Sequence, residues 1–254
     1  MPGELTVGAE RRGPLRVLAL ESLREFGVDA VITTRDGGVS EAPFDSLNLG
    51  AHVGDDPRRV AANRARVAEA MRVGPDRLAM VSQVHGADVL EVEGPIGREE
   101  ADALVTSSRD VAIAVLVADC LPIVLADGAR RRVGVVHAGW RGLAAGVLEN
   151  ALTRFDDVSS VRAVIGPGVS PRVYQVGPEV SEAFRDVPGA VLADLGDRSR
   201  LDLRAIALHQ LAAAGVAPEH VGVVPGTTDG GGVFFSDRAS RPTGRFALVA
   251  RLLA

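Results

Sequence analysis

The sequence predicts an α+β fold (α/β-like): one domain of mixed β-sheets with helices packed on the outside. Three observations carry that expectation. Short β-branched runs alternate with amphipathic stretches along the chain, so strands and helices share one unit. No internal repeat, low-complexity tract or clear linker divides the sequence. A chain of 254 residues with 46% hydrophobic and 24% charged content can fill one large core. Aromatics are only 4%, so that core must be built from Val, Leu, Ala and Ile. The domain is expected over residues 28–254. Residues 1–27, whose start is polar and glycine-containing, are expected to be a loosely attached N-terminal segment.

The elements follow in order. VDAVITT (28–34) is β-branched and reads as a strand. RDGGVSEAPFDSLNLG (35–50) is rich in turn formers and reads as a long ordered loop, a length often tied to function. DDPRRVAANRARVAEAM (55–71) reads as a helix with Asp56 as N-cap and Pro57 in the first turn. RLAMVSQVHGADVLEV (77–92) reads as two strands around a turn at His85–Gly86. DVAIAVLVADCLPIVLAD (110–127) is apolar apart from a break at Asp119, Cys120 and Pro122, which predicts two buried strands with a kink between them. RRVGVVHAGWRGLAAGVLENALTRF (131–155) predicts strand, tight turn and amphipathic helix. A strand is expected in VRAVIGPGVSP (161–171), helices in GPEVSEAF and LDLRAIALHQLAAAGV, and strands in HVGVVPG and FALVARLL.

Composition excludes several classes. A net charge of −5 argues against a general nucleic-acid binder, although local arginines can still hold a small anion. All 28 basic residues are arginine, which we read as coding bias. One cysteine, Cys120, rules out an intrachain disulfide. No basic-then-apolar N-terminal run suggests a signal peptide, and no apolar stretch nears the ~20 residues that span a bilayer. A cytoplasmic protein without a membrane partner is expected, with a monomer as the default.

Three chemically reactive positions share a local design. His85 follows SQV, Cys120 follows VAD, and His137 follows VGVV, each where a buried strand meets a turn. Strand ends on a rigid sheet can aim side chains at one point. Thiolate and imidazole are zinc's preferred donors, and three protein ligands with a fourth position open is the catalytic arrangement. Taken singly, a lone cysteine is ordinarily a small hydrophobe and a lone histidine a hydrogen-bonded one. The same residues also admit a nucleophile–base pair of Cys120 and His137. His52, in GAHVGDD, can line such a site; His209 reads as structural within a helix, and His220 as a surface residue.

HAGWRGLAAGV (137–147) places Arg141 near a helix start beside the sole tryptophan, Trp140, a setting suited to an anion. Arg35 in TTRDGG is a second candidate anion binder. Asn48 in SLNLG can bond a ligand or cap its own turn. TTDGGGVFFSDR lacks a lysine and Walker spacing, and IGPGVSP lacks the dinucleotide fingerprint, so neither ATP nor NAD is indicated.

Eight segments in order extend the reading: TTRDGGVS, SLNLGAHVGDD, SQVHGADV, ADALVTS, ADCLPIVLAD, VVHAGWRG, IGPGVSPRVYQVG and FFSDRASRPTGR. With them the chain resembles the bacterial laccase-domain family, also called polyphenol oxidase, purine nucleoside phosphorylase or peptidoglycan editing factor. The resemblance runs from about residue 28 to the end. It implies a metal at His85, Cys120 and His137, with zinc expected and copper possible. It implies phosphorolysis of purine nucleosides with phosphate, and adenosine deamination and methylthioadenosine cleavage in the same pocket. By motif match it implies roles for Arg141 at the reacting centre and for Arg35, Asn48 and Gln83 in substrate binding. Thr228–Asp229, the cysteine-free GPGVSPRVYQVG and Asp237 depart from the family pattern and bear on substrate preference. The rival readings are a metal-free cysteine hydrolase or amidase editing a peptidoglycan precursor, a copper polyphenol oxidase, and a metal-binding protein without catalysis. Five histidines and no His-x-His pair count against a multicopper oxidase.

Overall fold

A strand that is apolar on both faces must lie between two covering layers. Three consecutive strands of this chain have every residue buried: Ala103–Thr106, Ala112–Val117 and Leu121–Asp127. The computed structural model, which describes residues 5–129, 131–230 and 232–253, meets that demand with four layers. In chain order the elements are β1 (Val7–Arg12), β2 (Leu15–Leu20), β3 (Val28–Thr33), α1 (Pro57–Ala70), β4 (Leu78–Ala79), β5 (Val89–Glu91), β6 (Ala103–Thr106), β7 (Ala112–Val117), β8 (Leu121–Asp127) and β9 (Arg132–Ala138). They continue with α2 (Trp140–Ala144), α3 (Val147–Leu152), β10 (Arg162–Ile165), β11 (Gln175–Val176), α4 (Pro178–Ala183), β12 (Val191–Ala193), β13 (Ser199–Leu201), α5 (Leu203–Ala213), β14 (Val221–Val223) and β15 (Phe246–Leu252).

One mixed sheet has the order β1-β2-β3-β15-β7-β4 and a second the order β14-β10-β8-β9-β6-β5; β11, β13 and β12 form a small third sheet. Side-chain alternation sorts the layers. Phe246, Leu248 and Ala250 of β15 meet Val124 of β8 and Val133 and Val135 of β9 between the two large sheets. Ala247 and Val249 point the other way, to Val67 and Ala68 of α1 and to Leu47 and Leu49 of the long loop. On the far side of the second sheet, Leu121, Ile123 and Leu125 pack against residues of α3, α4 and α5. The order is therefore helix and loop, sheet, sheet, helices, which is the α+β arrangement expected.

The chain passes from the first large sheet to the second twice in the region that matters. β4 pairs in parallel with β7 in the first sheet, whereas β5 pairs in parallel with β6 in the second. The two strands expected around His85–Gly86 thus exist, but each joins a different sheet. β7 and β8 repeat the crossing, with the bend at 118–120 where the kink was expected.

Several expectations need correction. The N-terminal segment is not loosely attached. β1 and β2 form an antiparallel pair, β2 joins β3, and Leu15, Val17, Ala19 and Leu20 are buried. Interleaved arginines and the Gly13–Pro14 turn hide this alternation in the sequence. The helix expected after His137 is two short helices, α2 and α3, parted at Gly146, whose φ of 84° no helix interior accepts. β6 and the small third sheet were not expected at all. Asp56 does cap α1, accepting from the Arg58 N–H, with Pro57 in the first turn.

Leu248 is fully buried on a strand with neighbours on both sides. Leu248→Ala should lower stability by about 2–5 kcal/mol. Urea unfolding monitored by circular dichroism is expected to show a lower midpoint with little change in slope.

Candidate metal centre

Strand register builds the site. β8 and β9 are antiparallel, with Leu121 opposite Ala138 and Pro122 opposite His137. One step further, Cys120 faces Gly139. A Cβ on Gly139 would lie 2.8 Å from the Cys120 Sγ and 3.2 Å from a His85 ring carbon, so only glycine leaves room for both side chains. His137 shares a face of β9 with Val133 and Val135 and so points between the two sheets, at the end of that layer. β6 pairs with β9 so that Asp102, just before β6, lies beside His137, and its carbonyl accepts the His137 N–H at 2.8 Å.

The Asp102 carboxylate, fully buried, joins the pieces. It accepts from the backbone N–H groups of Val84 (3.2 Å), His85 (3.0 Å) and Gly86 (2.6 Å). It also meets His137 Nδ1 at 2.7 Å, which leaves the other ring nitrogen for the centre. His85 itself has φ = 60°, a left-handed conformation uncommon outside glycine and often found at functional sites. The two histidine rings stand 4.7 Å apart, edge to face. The donor atoms of His85, Cys120 and His137 lie within 4.8 Å of one another, and this is the one such metal-compatible group among the described residues. Ligand atoms on a tetrahedral zinc stand roughly 3.5 Å apart, so the three donors would draw closer together to share one ion. The donors suit zinc or copper, and a carboxylate behind a ligating histidine is the usual support for such a centre.

Electrostatics agree with the geometry. Burial opposes a Cys120 thiolate, but attraction to His137 and hydrogen bonds from His137 and His85 bring its pKa down to about 6. Burial likewise opposes an imidazolium at His137, yet the thiolate and the Asp102 hydrogen bond raise its pKa to about 9. Asp102 titrates below the usual carboxylate range: burial works against its charge, and the bonds from His137 and Gly86 outweigh it. A thiolate at neutral pH is the form that binds a metal.

The centre forms one wall of a cleft of about 940 Å³. Trp140 and Tyr174 line it, together with Arg64, Arg98, Arg141, Arg238, Arg241 and Arg245, against two carboxylates, Asp119 and Asp237. Asp119, at φ = 97°, is already engaged: it accepts from Thr228 Oγ1 (2.5 Å), Ser236 Oγ (2.7 Å) and the Arg238 N–H (2.6 Å).

The residues expected at the site fare differently. Arg141 lines the cleft with its guanidinium 4.3 Å from the centroid of Trp140, although α2 has only five residues and offers no long dipole. Gln83 lines it too, but its amide is spent on both backbone groups of Leu116, at 2.7 Å each. Arg35 and Asn48 are not among the lining residues. Arg35 bonds the Asp45 carbonyl and carboxylate and lies over Phe235, so it ties down the long loop. Asn48 is buried, bonding Gly50, Asp55 and the Arg245 N–H. His52 lines the cleft as expected; His209 and His220 do not. Asp102 and the arginines at 64, 98, 238, 241 and 245 were missed. Asp102 lies within ADALVTS, where an acidic residue before an apolar strand was the available signal. The arginines are indistinguishable in sequence from the many on the surface.

Fold and site together define a single-domain α+β protein in which, among the described residues, one nitrogen- and sulfur-donor group able to hold a metal stands in an arginine-rich cleft. The chain belongs to the family described as multi-copper polyphenol oxidoreductase laccase, which matches residues 29–252. It is 42% identical to purine nucleoside phosphorylase YfiH of Escherichia coli over 226 residues, covering 87% of this chain and 92% of that one. A purine nucleoside phosphorylase of Pseudomonas aeruginosa is also 42% identical, over 239 residues, covering 89% and 93%. Among solved structures, YlmD from Geobacillus stearothermophilus superposes with a TM-score of 0.88 at 32% identity, over 97% of this chain and 99% of that one.

The opposed pKa shifts set a pH window for the metal-free protein. The thiolate half of the pair is lost as pH falls through about 6, and the imidazolium half as pH rises through about 9. Iodoacetamide should therefore alkylate metal-free Cys120 with a midpoint near pH 6 instead of the ordinary 9.0. Asp102→Asn, which removes the anion behind His137, should move that midpoint upward. A wild-type midpoint near the ordinary value would mean that the ion pair does not form in solution.

Proposed function

We propose that the chain is a zinc-dependent purine nucleoside phosphorylase, taking a purine nucleoside and phosphate, and that the same cleft deaminates adenosine and cleaves methylthioadenosine. The observation that carries this is the convergence of His85, Cys120 and His137 in a cleft that also presents aromatic rings and unbalanced positive charge. Names of relatives at 42% identity point the same way. In phosphorolysis a phosphate oxygen bonds to the ribose C1′ while the bond from C1′ to the base breaks, and the base leaves with the electron pair and gains a proton. Trp140 and Tyr174 offer flat apolar surface for a base. The arginines attract and orient the anionic co-substrate, whose negative charge answers the positive charge that develops at the reacting carbon. His85, Cys120 and His137 hold the metal, and Asp102 fixes which His137 nitrogen faces it. Zinc bound there supplies Lewis acidity and lowers the pKa of water to roughly 7, as deamination requires. Copper also suits this donor set.

A second reading has a specific observation behind it. Cys120, His137 and Asp102 stand in the order of a nucleophile, base and orienting acid, as in a cysteine hydrolase or amidase. His85 is the residue that such a triad leaves unused.

Protein purified without added metal should carry about one zinc per chain, and should release hypoxanthine from inosine only when phosphate is present. Cys120→Ala should abolish metal retention and lower base release by at least the roughly 100-fold that outer-partner substitutions can reach. Metal-free protein with full activity, together with rapid loss of activity on alkylation, would replace this reading with the hydrolase.

A further inference from the structure

We infer that Arg64, His52 and Arg245 form a tetrahedral-oxyanion subsite in the cleft, and that inorganic phosphate is its occupant. This deepens the reading above and depends on it only for phosphate being the co-substrate.

Arg64 projects from α1 into the cleft and is half-buried there. Its Nε donates to the Leu49 carbonyl at 2.9 Å, which fixes the plane of the guanidinium. Among the described residues, no carboxylate lies within ion-pairing distance of it, and its two terminal amines have no hydrogen-bond partner. Burial accordingly lowers its pKa. A partly desolvated guanidinium with its terminal donors unspent is costly unless an anion completes it. Arg12, by contrast, has the Asp29 carboxylate at 2.7 Å.

Arg245 is placed beside it with care. Asn48 accepts its N–H at 2.9 Å, and its carbonyl accepts the Leu49 N–H at 3.0 Å. Gly50 has no Cβ where the Arg245 stem passes; one would lie 2.8 Å from Cγ. Its Nη1 donates to the Thr243 and Gly244 carbonyls at 3.2 and 3.1 Å, which fixes the guanidinium, and its Nη2 reaches Asp237 at 3.4 Å. His52 sits within the field of both arginines: partial burial and then Arg245, Arg64 and His85 hold its pKa below the ordinary value. A neutral ring with an N–H to donate, flanked by two fixed guanidinium groups, suits a tetrahedral dianion. Arg35, by contrast, already has a carboxylate, that of Asp45 at 3.1 Å.

The test uses the zinc-loaded full chain, with histidines labelled for NMR and the His52 signal assigned from His52→Gln. Titration with inorganic phosphate alone is expected to raise the His52 pKa in the wild type but not in Arg64→Gln. In steady state, Arg64→Gln should raise the phosphate KM roughly 10- to 100-fold while the nucleoside KM stays within about twofold, and Arg64→Lys should recover part of the loss. Should Arg64→Gln fail to fold, His52→Gln carries the kinetic arm, with a higher phosphate KM expected. The inference is overturned if phosphate leaves the His52 pKa unmoved, if only adenosine 5′-monophosphate moves it, or if phosphorolysis proceeds in Arg64→Gln with an unchanged phosphate KM. An Arg64-dependent response to phosphate in a protein that releases no base would retain the subsite and discard the phosphorylase.

Discussion

A single buried carboxylate organises the centre. Asp102 has no exposed surface, so its charge must be answered by donors within the protein. Three of these are consecutive backbone N–H groups, Val84 to Gly86, and the fourth is His137 Nδ1. One anion therefore bends the chain at His85 into its left-handed conformation and also orients the second histidine. Neither histidine is placed by its own packing alone. Replacing Asp102 with an apolar residue would leave three adjacent N–H groups without acceptors, so the turn and the ring would be lost together.

That carboxylate can act on both histidines because of the topology. The chain passes from the first sheet to the second twice, through 80–88 and again through 118–120, and both passages open onto the end of the layer between the sheets. Apolar side chains fill this layer along its length, and His137 takes the last inward position of β9, where the filling stops. The reactive groups thus stand on the ends of packed strands, with rigid backbone behind them and a cleft in front.

Long single-purpose patterns in the sequence transferred well. The period of α1 with its Asp56–Pro57 start, the apolar run broken at Asp119–Cys120, and the VGVV strand leading to His137 all have local causes, and local patterns encode them. What escaped depends on partners far along the chain. β2 is legible only once β3 is known to lie beside it, because Arg16 interrupts its apolar run. Asp102 is unremarkable until β6 is paired with β9. Arg35 and Asn48 read as ligand-binding residues because polar side chains in a long loop serve either a ligand or the loop itself, and sequence does not separate these uses. Hydrogen-bond partners do: both side chains are consumed in holding the loop.

The loop they hold has a consequence for charge. Over the whole chain acids outnumber bases, for a net charge of −5, yet the cleft presents six arginines to two carboxylates. Such an inversion survives only if the cations are fixed, since flexible arginines would turn to the surrounding acids. Fixing is what the buried amides do. Asn63 of α1 bonds the Val39 N–H, Ser40 and the carbonyls of Ser46 and Asn48, which sets the loop's path over the first sheet. Asn48 then holds the Arg245 backbone, and the Leu49 carbonyl holds the Arg64 guanidinium. Loop residues that never touch the cleft thereby determine its field. An acidic molecule with one confined positive cleft repels anions over most of its surface and concentrates them where His85, Cys120 and His137 stand.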